Sequence, residues 1–98
     1  MNNARRKEIK ATIQLLKELV KTTSVEFDNI KSEIESIQDK EQEALDNMPE
    51  SMEGSERYSA IEEALENLQS ALDVMDEADS AFSSATDEVI SALGDASA

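Results

Sequence analysis

Apolar residues recur along the first half of the chain in alternating steps of four and three. From Ile9 the steps reach Ile13, Leu16, Val20, Thr23, Phe27, Ile30, Ile34, Ile37, Glu41, Ala44 and Met48, and only Thr23 and Glu41 are not apolar. The same stepping from Ile61 reaches Leu65, Leu68, Leu72, Met75, Asp79, Phe82, Thr86, Val89, Leu93 and Ala96, interrupted only by Asp79 and Thr86. A repeat of about 3.5 residues held over so many steps predicts amphipathic helices with a coiled-coil-like seam and is incompatible with the two-residue period of a strand. Two long helices are therefore expected, over about residues 3–47 and 55–94, each on the order of 60 Å long at about 1.5 Å per residue.

Between the two runs lies the stretch DNMPESMEGSERY, which holds the only proline, Pro49, and one of the two glycines, Gly54. Pro49 disfavours helical geometry at Met48 and should end the first helix there. Gly54 permits the backbone to reverse, Ser51 or Ser55 can cap the second helix, and Glu53 and Glu56 suit its positive N-terminal end. A short connection makes the helices antiparallel neighbours. With the turn centred near residue 51, facing residues have numbers summing to about 102, so Phe27 is level with Met75, Val20 with Phe82, Ile13 with Val89 and Ile34 with Leu68. The expected class is all-α: a helical hairpin in one domain, followed by a short C-terminal tail.

The expected interface between the two helices comprises Ile9, Ile13, Leu16, Val20, Phe27, Ile30, Ile34 and Ile37 on the first. On the second it comprises Ile61, Leu65, Leu68, Leu72, Met75, Phe82, Val89 and Leu93. Thr23 and Asp79, the polar interruptions, fall level with each other, and a hydroxyl beside a carboxylate there would form a polar layer that aligns the helices. One local feature competes with a continuous first helix: Thr23-Ser24-Val25-Glu26 fits a capping box. The seam favours continuity.

A second repeat lies beside the seam. Ala64, Ala71, Ala78, Ala85 and Ala92 recur every seven residues, and Leu15, Leu19, Val25, Leu45 and Val74 add apolar surface off the main line. A lone hairpin has no second side on which to bury these groups. Self-association is expected, most simply a homodimer completing a four-helix bundle, with the five alanines as candidate oligomer contacts.

Charge narrows the function classes. The formal net charge is −14, and residues 1–21 carry six Lys/Arg against two Asp/Glu, so residues 22–98 hold −18. Over most of its surface such a chain repels nucleic acid, and no membrane partner is expected. Asp46, Glu50, Glu53 and Glu56 around the turn are candidate contacts for a protein partner. Direct nucleic-acid contact through the basic ARRKEIK stretch is not expected, since it has no interleaved aromatic residues.

Catalytic chemistry finds little to work with. The chain has no His and no Cys, which removes the usual neutral-pH base, the thiolate nucleophile and the ordinary zinc ligands. Two glycines cannot form a phosphate-cradling loop. The acidic run DVMDEADS lacks the glycine and spacing of a calcium loop. No enzyme activity, cofactor or metal is expected. No apolar run is long enough to span a bilayer and the N-terminus lacks a hydrophobic signal segment, so a cytoplasmic location is expected.

Residues 39–73 carry a resemblance. The pattern E-Q-x-x-x-D-N-x-P-E, here Glu41, Gln42, Asp46, Asn47, Pro49 and Glu50, precedes Ser55, Glu56 and Arg57 and a further acidic helix. In this it resembles a group of short uncharacterised phage and prophage proteins. The resemblance implies a mobile-element origin and an accessory or host-directed binding role, including inhibition of a host or defence protein. Two other roles fit the same residues: an acidic mimic of DNA that occupies a nucleic-acid-binding protein, and a structural or assembly component of a phage or cellular particle.

Overall fold

The computed structural model describes all 98 residues. Helix α1 runs Asn3–Asp46, a one-turn 3-10 helix covers Glu50–Met52, and helix α2 runs Glu56–Ala96, with no strand. Asn2 caps α1: its Oδ1 accepts a hydrogen bond from the Arg5 amide at 2.9 Å. The helix continues unbroken through Thr23-Ser24-Val25-Glu26, so the local capping signal is overridden.

The connection is built from the residues that its sequence singled out. Pro49, at φ −60° and ψ 147°, leads into the 3-10 turn, in which Met52 N–H donates to the Pro49 carbonyl at 2.9 Å. Gly54 takes φ +80°, the left-handed region that favours glycine. Ser55 then caps α2, its Oγ accepting from the Tyr58 amide at 3.2 Å. The space around Gly54 is open, so its constraint is conformational only. Gly54→Ala should therefore cost about 1–2 kcal/mol. Gly94→Ala, inside α2 and equally uncrowded, should instead gain about 0.5 kcal/mol. Paired urea melts followed by circular dichroism check the opposite signs.

The chain divides into two compact units. Unit 1 combines Met1–Phe27 with Glu77–Ala98, and unit 2 is Asp28–Asp76. In unit 2 the helices are antiparallel, because Lys31 bonds to Asp76 while Gln38, seven residues further on, bonds to Gln69, seven residues back. Both pairs have numbers summing to 107 rather than 102. The offset has the sense expected of a long α1 side chain, which leans toward its own N-terminus and so meets α2 further from the turn.

The inward-facing positions depart from the expected seam in a systematic way. In α1 the less exposed residues are Ile9, Ile13, Leu16 and Val20, then Ser24, Phe27, Lys31, Ile34, Gln38, Glu41 and Leu45. Ten steps thus cover 36 residues, or 3.6 per turn, the period of an unsupercoiled α-helix. The expected heptad advances only 35. The extra residue is absorbed where Thr23 and Ser24 are both half-buried. Beyond it, Lys31, Gln38 and Leu45 take the inner line, leaving Ile30 and Ile37 at 47% and 49% exposure.

Helix α2 repeats the drift. Its inner line runs from Ile61 through Leu65, Leu68, Leu72, Met75, Asp79, Phe82 and Thr86 to Ile90 and Leu93. Val89, expected inside, is 48% exposed because Ile90 has replaced it. Of the expected interface residues, Ile30, Ile37 and Val89 are thus exposed, and the others are buried or half-buried.

Little is fully enclosed. Ile61, Leu72 and Thr86 are the only buried residues, at 9%, 8% and 7% exposure, and no side chain falls below 2%. Thr86 is satisfied by donating from Oγ1 to the Phe82 carbonyl at 2.7 Å.

Candidate interaction site

The two sides of unit 2 differ in chemistry. On one side an open groove is lined by Asp28, Lys31, Glu35, Gln38, Asp39 and Asp76 among others. Lys31 spans it: its ammonium lies 2.9 Å from Asp76 and 3.4 Å from Asp28, with 19% of the side chain exposed. Gln38 donates to Gln69 at 2.9 Å, and Gln69 in turn donates to Asp73 at 3.1 Å. A lysine and a glutamine on the inner line thus form a polar ladder that ties the helices laterally.

The hydrogen bond that Lys31 donates to Asp76, with the charges of Asp76 and Asp28, holds the ammonium above its ordinary 10.5 despite the opposing effect of burial. A raised folded-state value stabilises the fold at every pH below the unfolded value. That contribution is lost as pH rises through the folded value. In thermal melts from about pH 9 to pH 12, the wild type should therefore lose stability relative to Lys31→Met, with the relative change beginning above about pH 10.5.

The other side of unit 2 is apolar. At about 100° per residue, Ile30, Ile37 and Ala44 lie roughly 90° back from the inner line of α1, and Ala64, Ala71 and Val74 lie roughly 90° back from that of α2. In an antiparallel pair, the same sense of rotation on both helices brings both strips to one side. Glu33 and Asn67 lie at the edges of this strip. Unit 1 repeats the arrangement with Leu15 and Leu19 on α1 and Ala78, Ala85, Val89 and Ala92 on α2. Leu15, Leu19 and Val74 are 65%, 49% and 60% exposed.

Of the candidate oligomer contacts, Ala71, Ala78, Ala85 and Ala92 are exposed and Ala64 is half-buried. Thr23 and Asp79 are both half-buried within unit 1. Asp46, Glu50, Glu53 and Glu56 are all exposed around the turn, and Asp46 accepts a hydrogen bond from Gln42 at 2.9 Å. The ladder formed by Lys31 and Gln38 was missed in the sequence, where a strict heptad step bypasses both. The signal that marks them is the helical period itself, counted at 3.6 from Ile9.

No group of three or more acidic side chains has the arrangement of a metal site. No helix is long and apolar enough to cross a membrane. No known protein family matches the chain, and comparison with curated proteins and with solved structures finds no similar one.

Proposed function

We propose that this protein is a non-enzymatic protein–protein interaction module: a self-associating acidic hairpin that also binds a protein partner. The observation that carries the reading is the thin interior. Only three residues are buried while eight large apolar side chains are exposed. Exposed apolar surface on this scale supports an interaction role. The carboxylate-rich groove and the acidic turn supply a second surface, suited to a partner with a basic face. The pattern over residues 39–73 supports a phage-encoded accessory role, with inhibition of a host or defence protein as its form.

A second reading rests on the charge of unit 2, where fifteen Asp/Glu oppose three Lys/Arg, a balance of −12. That density supports mimicry of a phosphate backbone. Capture of host proteins on the immobilised hairpin, washed at low and then high salt, tests both. A partner retained at high salt supports apolar docking, whereas one lost at high salt and displaced by duplex DNA supports the mimic. Failure to retain any protein at low salt, from hosts across several lineages, would count against partner binding in either form.

A further inference from the structure

The apolar strips of the two units have an occupant that the surface area and the charge distribution identify. The chain exposes 7070 Å². A folded monomer of 10.8 kDa typically exposes about 5,500 Å², so the excess is roughly 1,500 Å². Two copies hiding that excess would bury about 3,000 Å² together, within the roughly 2,000–5,000 Å² of obligate homodimers. Each unit offers a strip for it: Ile30, Ile37 and Val74 in unit 2, and Leu15, Leu19 and Val89 in unit 1, all nearly half exposed or more. Along α2 the seven-residue alanine repeat removes bulk and lets a second helix approach closely.

Charge selects the pairing. Unit 2 carries −12, whereas unit 1 carries six Lys/Arg against eight Asp/Glu, a balance of −2. Docking unit 2 on unit 2 sets −12 against −12. Docking unit 2 on unit 1 of the second copy sets −12 against −2, which is the weaker repulsion. We propose that the alanine-bearing strip is the docking face for a second copy of this chain, with unit 2 of each protomer on unit 1 of the other and the two α2 helices running in opposite directions. Such an interface is isologous, each patch serving twice. Full overlap of two Glu56–Ala96 helices about their midpoint near Asp76 puts Ala64 beside Val89 of the second copy.

The inference rests on the self-association reading, and its test separates the two. Light scattering on the wild type at about 100 µM should give twice 10.8 kDa. Val74→Lys and Val89→Lys should each halve that mass while circular dichroism stays unchanged, since both sites are exposed in the hairpin. Lysine is the informative substitution, because it reduces the negative charge and so cannot act by added repulsion. The chain has no cysteine, so oxidative cross-linking starts from a clean background. A mixture of Ala64→Cys and Val89→Cys chains should form the mixed disulfide, and a mixture of Ala64→Cys and Ile37→Cys should not. A wild type that stays at 10.8 kDa overturns self-association itself. A dimer that survives both lysine variants overturns the face, and cross-linking of Ala64→Cys to Ile37→Cys overturns the opposed pairing.

Discussion

Replacing Leu72 by Ala should destabilise the fold by about 2–3 kcal/mol, the largest effect of any single truncation in the chain. Leu72 is 8% exposed, on the inner line of α2 and at the floor of the polar groove. The expected cost lies at the low end for buried leucines because the groove is open on one side, so neighbouring side chains can settle into the vacated space. In a domain of this size each kcal/mol moves the melting temperature by about 4–8 °C, so the variant should melt roughly 10–20 °C lower. Ile37→Ala provides the contrast. Ile37 also lies on the heptad line yet is 49% exposed, and in a monomeric sample its truncation should cost below about 0.5 kcal/mol. Equal losses for the two variants at micromolar concentration would place Ile37 on the inner line and overturn the 3.6-residue period.

That contrast also marks how far the sequence could be read. Both helices, their direction and their connection follow from local signals that act within a few residues: Pro49 halts one helix, Gly54 reverses the backbone and Ser55 starts the next. The first half of each inner line was equally legible, since periods of 3.5 and 3.6 differ by less than one residue over four turns. Further along α1 the two lines share Phe27, Ile34 and Glu41 but differ by one position at the steps between, where a rule that favours apolar residues chooses Ile30 over Lys31 and Ile37 over Gln38. The aliphatic part of Lys31 packs inward while its ammonium reaches Asp76, a behaviour that a binary apolar pattern does not represent. Asn2, which caps α1, was also passed over, although its residue type is among the strongest N-cap signals.

The displaced isoleucines link the fold to its surfaces. Each apolar residue that the 3.6-residue period turns away from the inner line is turned toward the same side, where Val74 and the alanines of α2 already lie. One shift of phase therefore makes both faces of unit 2. It brings Lys31 and Gln38 in to build the polar ladder and carries Ile30 and Ile37 out to widen the apolar strip. Unit 2 carries more apolar positions than its helix–helix contact holds, and Ile30, Ile37 and Val74 form the surplus on its apolar side.

Raising the salt concentration should stabilise the protein, by about 1–3 kcal/mol between 10 mM and 1 M, over which the screening length falls from about 30 Å to about 3 Å. Unit 2 holds its −12 with only Lys31, Lys40 and Arg57 to offset it, and both salt bridges of the structure are made by Lys31. Along its helices, Glu35 and Asp39, Asp39 and Glu43, Glu43 and Asp46, Glu62 and Glu66, Glu63 and Glu66, and Asp73 and Asp76 are like-charged neighbours at three- or four-residue spacing. Each such pair destabilises a helix by about 0.2–0.5 kcal/mol at low ionic strength. Screening also weakens the Lys31 bridges, but these are two contacts from one cation against six repulsive pairs, so relief of repulsion wins. At about 4–8 °C per kcal/mol the melting temperature should climb by roughly 5–20 °C. Thermal melts at two protein concentrations distinguish this effect from salt-driven dimerisation, because relief of repulsion within one chain is independent of concentration. A melting temperature that falls with added salt would mean that attractive pairs outnumber repulsive ones in solution, contrary to the charge arrangement of α1 and α2.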